Sequence, residues 1–303
     1  MRSIQSFVRA FFLLVAAVFA FALAGCAASP DKAADASGTE GKGGAPLSIH
    51  VLDIGQGDAI LLEKDGKWAL IDSGDVDERE HMTAHLKRYG VKELQSVIIT
   101  HPHADHVGGM YAVFKAVKVD HIYDNGQAAT TNTYRTYLKM IKSKNIPYTA
   151  AKGGDTIALL PEVSFKVTGP VKIMKDKKGR PEANNNSVAG RLTYGAFTMF
   201  FTGDAEKEEE MDMIRSFPSE LKSDVLKVGH HGSKTSSSAQ FLEKVKPKDA
   251  IISAGKGNSY GLPHEITLKK LQKIGANLFR TDRDGTVTVK TDGSHYTITK
   301  EHS

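Results

Sequence analysis

The densest group of chemically active side chains in this sequence is a histidine cluster in the first half of the chain. His101, His103, Asp105 and His106 lie within six positions, shortly after an apolar run that ends at Ile99. Neutral imidazole and carboxylate groups suit borderline divalent metals such as zinc or manganese. The cluster therefore predicts a metal site on a tight loop at the end of a strand. The alternative is a polar surface loop that is rich in histidine.

A metal site needs ligands from several parts of the chain, and two later segments can supply them. Asp204 follows the apolar run 199–201, and His230 and His231 follow the run 225–228. Ends of strands can meet at one edge of a layered fold, so these side chains are expected to share a pocket with the histidine cluster. Taken alone, Asp204 could instead cap the next helix, and the two histidines could be structural hydrogen-bonding groups.

The spacing within the cluster favours two metal ions. His101 and His103 are two positions apart on an extended loop, so their side chains point to the same side and can share one metal. Asp105 and His106 are expected to serve the second metal. Asp105 is also expected to take part in catalysis.

Asp204 is expected to bridge the two metals because one carboxylate has two oxygens, and His231 is favoured to complete the second site. A two-metal site about 3.5–4 Å across polarises a phosphoryl or carbonyl oxygen and lowers the pKa of bound water towards roughly 7. His230 is expected to act as a general acid for the leaving group. The arrangement predicts a hydrolase.

Residues 1–25 have the pattern of an export signal. Arg2 and Arg9 precede a short apolar run, which ends in small residues before Cys26. This pattern is typical of a secretory signal, and the ending Leu-Ala-Gly-Cys resembles the bacterial lipobox. We therefore expect cleavage before Cys26, lipidation of its thiol and attachment to the extracytoplasmic face of a membrane. The alternatives are an ordinary signal peptide and an uncleaved anchor.

The rest of the chain has the composition of a globular domain. Of the 303 residues, 40% are hydrophobic and 25% are charged, which excludes a disordered chain. The composition of residues 26–46 predicts a flexible tether, and residues 47–303 are long enough for one large α/β domain.

Cys26 is the only cysteine in the sequence, so no disulfide partner exists within the chain. The net charge of +5, or +3 without Arg2 and Arg9, is compatible with an anionic substrate.

Predicted strands and helices alternate along residues 47–303. Strands come first, helices then alternate with strands, and the same order occurs again in the second half. Two mixed sheets packed face to face with helices outside would bury such elements, so the expected class is α/β in four layers. Helices are expected over 107–117, directly behind the histidine cluster, and over 205–215, after Asp204.

Seven motifs follow one another along the chain in an order that resembles a known family. The motifs are 53–59 (DIGQGDA), 70–74 (LIDSG), 101–106 (HPHADH), 184–188 (NNNSV), 202–205 (TGDA), 224–233 (DVLKVGHHGS) and 260–264 (YGLPH). The set is similar to the soluble hydrolase domain of bacterial DNA-internalisation competence proteins (ComEC-like), within the metallo-β-lactamase superfamily. The resemblance covers roughly Leu47 to Tyr296.

The resemblance implies an αββα metallo-β-lactamase fold, divalent-metal hydrolase chemistry and a phosphodiester substrate, with DNA as the candidate. Many members of the superfamily place a third histidine between the first cluster and the bridging aspartate, whereas this chain has Asn184-Asn185-Asn186-Ser187 there. This departure argues against β-lactam hydrolysis. It predicts either a weakly held first metal or an asparagine that contacts the substrate. The membrane channel of the competence proteins is also missing, so DNA transport by this chain alone is not expected.

Several other residues are expected to assist the ligands. Asp72 is expected to support a ligand histidine from behind, with a plain turn residue as the alternative. The residues expected either to face the substrate or to form only hydrogen bonds within their loops are Asn186, Ser233, Tyr260 and His264.

These observations together predict a membrane-anchored, extracytoplasmic metallohydrolase that cleaves phosphodiesters and is related to DNA uptake. Two other function classes stay open. One is a metallohydrolase of another ester class, such as a phosphorylcholine esterase or a lactonase, because one fold hosts many chemistries. The other is a non-catalytic lipoprotein that binds nucleic acid or cell-wall polymer, which the mild positive charge would suit.

Overall fold

Two β-sheets, packed face to face, form the centre of the protein. The computed structural model describes residues 45–302, and the elements named here are those of this range. The strands are β1 (Leu47–Val51), β2 (Ile60–Lys64), β3 (Lys67–Ile71), β4 (Glu93–Leu94), β5 (Ser96–Ile99), β6 (Lys118–Val119), β7 (Ile122–Asp124), β8 (Tyr148–Ala150), β9 (Thr156–Leu160), β10 (Val163–Gly169), β11 (Ala189–Tyr194), β12 (Phe197–Phe201), β13 (Val225–Lys227), β14 (Asp249–Ile252), β15 (Asn277–Arg280), β16 (Val287–Thr291) and β17 (Tyr296–Lys300). The helices are α1 (Arg79–Arg88), α2 (Ala104–Val107), α3 (Met110–Ala116), α4 (Asn132–Ser143), α5 (Lys207–Ser216), α6 (Ala239–Val245), α7 (Glu265–Lys273) and α8 (Thr281–Asp284).

Both large sheets contain antiparallel and parallel strands. The first has eight strands in the order β17-β16-β1-β2-β3-β5-β7-β8, antiparallel as far as β3 and parallel from β3 to β8. The second has seven in the order β15-β14-β13-β12-β11-β10-β9, parallel from β15 to β12 and antiparallel beyond. Parallel neighbours present their carboxyl ends at the same edge of a sheet, so the loops that follow them are brought together there.

Apolar side chains fill the space between the sheets. Both sheets contribute fully buried residues to this core, among them Ile49, Leu62, Phe165 and Phe201. Side chains along β1 alternate between buried and partly exposed, as a strand with one face in a core requires. Two further apolar clusters attach α1, α3 and α4 to the first sheet and α5, α6 and α7 to the second. The predicted four-layer α/β sandwich is confirmed.

The helix predicted over 107–117 is wrong at its start. The chain forms two short helices, α2 and α3, with Gly108 and Gly109 between them. A Cβ atom on Gly109 would lie 1.9 Å from the carbonyl oxygen of Ser73, so the two backbones can approach this closely only at a glycine. Because α2 begins at Ala104, Asp105 and His106 lie in this helix and not on the loop that the spacing suggested.

Other differences from the predicted elements are small. Helix α5 begins at Lys207, two residues later than predicted. The elements that were not predicted are short: α6, α8, β4, β6, β8 and β9. Residues 1–44, which include the predicted signal peptide, Cys26 and most of the tether, lie outside the described residues. Within the described range, no helix combines the length and the apolar character that crossing a membrane requires.

Candidate metal centre

Three strand ends bring the predicted ligands together at one edge of the sandwich. β5 leads to His101 and His103, β12 leads to Asp204, and β13 leads to His230 and His231. A cleft of about 330 Å³ opens at this edge. Six of the predicted site residues line it: His103, Asp105, Asp204, His230, His231 and Tyr260. The convergence that the sequence predicted is therefore present.

The carboxylate of Asp204 lies between two sets of histidine nitrogens. Its Oδ1 atom is 3.3 Å from Nε2 of His106 and 3.6 Å from Nε2 of His231. Its Oδ2 atom is 3.8 Å from Nε2 of His101 and 3.6 Å from Nε2 of His230. Because each oxygen faces a different set, the geometry fits the bridging role predicted for this residue.

A carboxylate behind the ring sets the orientation of His106. Its Nδ1 atom lies 2.8 Å from Oδ2 of Asp72, and the backbone N–H and the hydroxyl of Thr100 donate to the same carboxylate, each at 2.8 Å. A carboxylate can only accept, so His106 donates from Nδ1 and directs Nε2 towards Asp204. The structure thus places Asp72 in the supporting position that the sequence suggested.

His231 is held in the same way by two acceptors. Its Nδ1 atom lies 3.2 Å from the carbonyl oxygen of Ser253 and 3.3 Å from Oδ1 of Asp58. The proton therefore stays on Nδ1, and Nε2 faces the centre, 3.3 Å from Oδ2 of Asp105. His106 and His231 thus both direct Nε2 towards Oδ1 of Asp204.

Several buried atoms at this point have no hydrogen-bond partner within the described residues. They are Nε2 of His106, Nε2 of His231 and Oδ1 of Asp204. Buried polar atoms are seldom left without a partner, and facing lone pairs repel unless a cation lies between them. Together with Asp105, these residues offer ligand atoms within 4.8 Å of one another. Imidazole nitrogen and carboxylate oxygen are ligands of divalent metals such as zinc, so the residues present fit such an ion.

The pKa shifts of His106 and His231 also indicate a site that fits a cation. Burial lowers the pKa of His106, but the carboxylates of Asp204, Asp72 and Asp105 outweigh it and raise that pKa well above its usual value. Burial likewise opposes the change at His231, whose pKa is raised to about 10, mainly by Asp204. The centre thus gathers more negative charge than its neutral histidines can balance, and either protons or a divalent cation would compensate for it.

His101 and His103 form the other half of the centre. Nε2 of His101 lies 3.0 Å from Nδ1 of His103, and both offer ligand atoms within 4.8 Å of Asp204. His101 is fully buried, and this burial, followed by the charge of His106, lowers its pKa well below the usual value. A neutral imidazole is the form that binds metal, so this pair also fits a metal site.

His230 and His231 adopt a backbone conformation that is unusual for histidine. Their φ angles are +50° and +52°, in the left-handed region that side chains with a Cβ seldom occupy. Such strain clusters at functional sites. The turn sends His231 into the centre and His230 to its rim, where Nδ1 lies 3.3 Å from Oε1 of Glu206 and 3.2 Å from Oγ1 of Thr235.

Comparison with known proteins identifies the family. Residues 52–256 match the model described as the metallo-beta-lactamase superfamily. The chain belongs to this superfamily. The structure is similar to the crystal structure of the metallo-beta-lactamase fold protein YhfI from Bacillus subtilis, with a TM-score of 0.55 and 12% identity, over 82% of this chain and 100% of that chain. This likeness concerns the fold alone.

Two curated relatives match most of the chain, and one of them is named as a competence protein. ComE operon protein 3 of Bacillus subtilis is 31% identical over 258 residues, which cover 79% of this chain and 32% of that protein. Competence protein ComA of Neisseria gonorrhoeae is 28% identical over 239 residues, which cover 78% of this chain and 31% of that protein. The chain spans about a third of the length of these relatives. The predicted metallo-β-lactamase-fold hydrolase domain, related to competence proteins, is confirmed at this level.

The asparagines at 184–186 have different surroundings, and Asn186 takes the loop-bonding alternative stated for it. The amide of Asn186 accepts from the backbone N–H of Met174 and donates to the carbonyl oxygens of Met174 and Glu182, so it holds the loop, and it does not line the cleft. Asn184 lines the cleft instead, and its buried Oδ1 atom has no hydrogen-bond partner in the described range. Residue type could not separate the three asparagines, because their directions depend on a 3-10 turn over 184–186.

A buried ion pair behind His231 was missed by the sequence reasoning. Nζ of Lys227 lies 2.8 Å from Oδ2 of Asp58, and both side chains are at most 2% exposed. Burial raises the pKa of Asp58, but Lys227 and His231 outweigh it and hold that pKa well below the usual value. The signal was present in the sequence, because a lysine in the apolar strand β13 must find a buried anion.

Three other predicted residues lie around the rim. The hydroxyl groups of Ser233 and Thr235 are hydrogen-bonded at 3.0 Å, and Nδ1 of His264 accepts from the backbone N–H of Lys234 at 3.1 Å. Neither Ser233 nor His264 lines the cleft, so both are placed as loop contacts, the alternative stated for them. Tyr260 does line the cleft, and its residue surface is 68% exposed.

A second cleft, of about 490 Å³, adjoins the first at His103 and Asn184. Three carboxylates line it: Glu182, Glu206 and Glu208. One wall of the site is therefore acidic. A larger cleft, of about 550 Å³, lies at the amino ends of β7 and β8, away from the centre, and four lysines line it: Lys92, Lys115, Lys118 and Lys144.

Proposed function

We propose that this protein is a metal-dependent phosphodiesterase that acts on DNA, held by a lipid on Cys26 at the extracytoplasmic face of a membrane. The observation that carries the proposal is the position of Asp204, whose two carboxylate oxygens face separate sets of histidine nitrogens. The competence protein among the relatives supports DNA as the substrate class. The export signal and Cys26 support the location.

Six side chains would hold two divalent ions, either zinc or manganese: His101, His103, Asp105, His106, Asp204 and His231. Divalent ions in such a site supply polarisation of a phosphoryl oxygen and a pKa of about 7 for bound water. The protein's own part is orientation. Asp72 and Asp58 keep the proton of His106 and of His231 on Nδ1, which leaves Nε2 free to bind.

His230 is the candidate proton donor to the leaving group. Glu206 and Thr235 hold its Nδ1 atom, and Nε2 points into the cleft, where it lies 3.6 Å from Oδ2 of Asp204. This is the open side of the centre, from which a leaving oxygen would depart. Asp105, at the same opening, is the second residue for which we propose a catalytic role.

The activity is tested with the purified full chain loaded with Mn²⁺ or Zn²⁺. We expect hydrolysis of bis(p-nitrophenyl) phosphate and of linear DNA, lost on chelation and lost in Asp204→Asn. Glu265→Gln is the matched control, because this carboxylate in α7 is 78% exposed, and it should keep full activity. Salt-dependent binding of DNA by the loaded protein without cleavage of any phosphodiester would replace the enzymatic proposal with a binding function.

A second candidate substrate class is phosphorylcholine esters. The carboxylates of Glu182, Glu206 and Glu208 beside the centre would attract the choline cation, and they would repel a polyanion that lay on this wall. Preferential turnover of p-nitrophenylphosphorylcholine, with KM raised in Glu208→Gln, would favour this class. Equal KM values in the variant and the wild type would exclude it.

The lipid anchor needs its own experiment. In a bacterial host, we expect incorporation of labelled palmitate and recovery of the protein with membranes, both lost in Cys26→Ser. Label that persists in the variant would exclude Cys26 as the site of acylation.

A further inference from the structure

We propose that Tyr260 is a stacking platform for the nucleobase next to the scissile phosphodiester, so that the site prefers an unpaired nucleic-acid strand. The inference rests on the proposed phosphodiesterase function and deepens it. It assigns to one residue the selection of a base-bearing substrate over other phosphodiesters.

The exposure of Tyr260 is the first observation. At 68%, it is the most exposed large hydrophobic residue in the described part of the chain. Its side chain lines the same cleft as Asp105, Asp204 and His231. A large aromatic side chain exposed at the mouth of a polar cleft offers a flat face to a ligand. Nucleobases stack on such faces whatever their sequence.

The loop that carries Tyr260 is held rigidly by one asparagine. Oδ1 of Asn258 accepts from the backbone N–H groups of Tyr260 at 3.2 Å and Leu262 at 3.0 Å. Its Nδ2 atom donates to the carbonyl oxygens of Gly255 at 2.9 Å and Leu262 at 2.7 Å. A side chain on a loop braced in this way loses little further freedom when a ligand binds, which favours recognition.

The same loop is attached to the turn that carries the proposed ligand His231. The backbone N–H of His264 donates to the carbonyl oxygen of Gly232 at 3.1 Å. A Cβ atom on Gly232 would lie 2.5 Å from Cβ of Pro263, so the two segments are in close contact. The position of Tyr260 relative to the centre is therefore determined by the fold.

The charges around the cleft indicate the path of a polyanion. Lys256 precedes Tyr260 on its loop, and Lys234 bonds to His264 at the end of the same loop, with both lysines exposed. The carboxylates of Glu182, Glu206 and Glu208 line the adjoining cleft, which meets this one at His103 and Asn184 and which Tyr260 does not line. A strand would therefore lie on the Tyr260 side, with flanking phosphates near the lysines and a base on the ring.

Binding to two oligomers of equal length and charge isolates the stacking contact. One is fluorescein-labelled oligo-dT, and the other carries abasic tetrahydrofuran units in place of the nucleosides. Anisotropy is measured with the full chain and a chelator, so that turnover does not interfere. Tyr260→Ala should weaken oligo-dT binding about five- to hundred-fold and leave the abasic oligomer unchanged. Tyr260→Phe, which keeps the aromatic face, should stay within about twofold of the wild type.

A matched control separates stacking from a general loss of apolar surface. Ile266→Ala removes a side chain of α7 that is 55% exposed, and it should bind both oligomers as the wild type does. Equal weakening of both oligomers by Tyr260→Ala, or no weakening of either, would overturn the proposal.

Turnover distinguishes this proposal from the function on which it rests. With the metal-loaded protein, Tyr260→Ala should lower kcat/KM for the p-nitrophenyl ester of thymidine 5′-phosphate and leave methyl p-nitrophenyl phosphate unchanged. Hydrolysis of both esters with no difference between variant and wild type overturns the platform and keeps the phosphodiesterase. Base-dependent binding with no turnover of either ester overturns the phosphodiesterase and keeps the platform. A larger loss for p-nitrophenylphosphorylcholine than for the thymidine ester would assign Tyr260 to a choline cation instead, which also overturns the platform.

Discussion

The Nδ1 atom of His106 and the Oδ2 atom of Asp72 lie 2.8 Å apart, although 34 positions separate the two residues in the chain. Both side chains are fully buried. Asp72 follows β3 and His106 lies just beyond β5, and these strands are parallel neighbours in the first sheet. Strand pairing therefore creates the contact, and the contact determines which nitrogen of His106 faces the proposed metal.

Removal of the Asp72 charge should weaken metal binding. In Asp72→Asn the amide can either donate or accept, so the proton of His106 is no longer kept on Nδ1, and we expect about a 10- to 100-fold loss of affinity. Competition against a fluorescent zinc chelator measures it. Asp65→Asn, at an exposed hairpin turn with φ +54°, is the control and should bind metal as the wild type does. An unchanged affinity in Asp72→Asn would show that the contact has no effect on the ligand.

The two aspartates of the centre should differ in how many ions depend on them. Asp204 faces both sets of histidines, whereas the described contacts of Asp105 are with His106 and His231 only. Asp204→Asn should therefore lose both ions, and Asp105→Asn should lose one. Elemental analysis after gel filtration gives the ratio of metal to protein. A wild-type protein that holds a single ion under saturating metal would contradict the two-metal arrangement.

The Lys227–Asp58 pair should matter for folding more than any surface pair. Lys227→Met leaves the buried carboxylate of Asp58 with the His231 ring as its remaining partner, and breaking a buried ion pair costs about 3–5 kcal/mol in the free energy of unfolding. Urea unfolding measures the change. The double variant Lys227→Met/Asp58→Asn should recover part of it, because neither charge of the pair remains. Lys248→Met, at a side chain that is 72% exposed, is the control. Equal stability of the two lysine variants would mean that the pair is not formed.

His50 should make stability depend on pH independently of the metal centre. Burial, followed by the charge of Arg88, lowers its pKa from 6.5 to about 4. Above pH 6.5 the residue is neutral in both states and has no effect. As the pH falls from 6.5 to 4, the unfolded chain binds a proton that the folded protein does not, so the free energy of unfolding falls by up to about 3 kcal/mol.

The measurement compares urea unfolding at about pH 7.5 and about pH 4.5. His50→Phe keeps the ring contact with Tyr89, which has a centroid distance of 4.4 Å, and removes the titrating group. This variant should lose less stability at the lower pH than the wild type. His295→Phe changes a side chain that is 90% exposed and should follow the wild-type profile. Identical pH dependence in all three proteins would exclude His50 as the source.

The proposed ligand set was accessible from sequence because its members follow apolar strands. The strands ending at Ile99, Phe201 and Lys227 lead to His101, Asp204 and His231, and strand ends at one edge of a sandwich meet. The break between α2 and α3 at Gly108–Gly109 was not predicted. It lies where the backbone of Ser73 packs closely against Gly109, and Ser73 is distant in sequence.

Only the structure could show which of several neighbouring asparagines or histidines reaches the cleft. Asn184 and Asn186 are chemically alike, and only the 3-10 turn sends one to the cleft and the other into the loop. His230 and His231 separate for a similar reason, since two consecutive left-handed residues aim their rings at different points.

The sequence by itself determined the residue types of the centre, their order, and the layered α/β class, because these follow from local apolar patterns and from chemistry within a few positions. The tertiary structure alone decided which atom of each side chain faces the centre and what lies behind it. Such directions depend on contacts such as Asp72 with His106 and Lys227 with Asp58, which join residues far apart in the chain. No local pattern fixes these contacts, because the first forms only when β3 pairs with β5 and the second only when the two sheets pack.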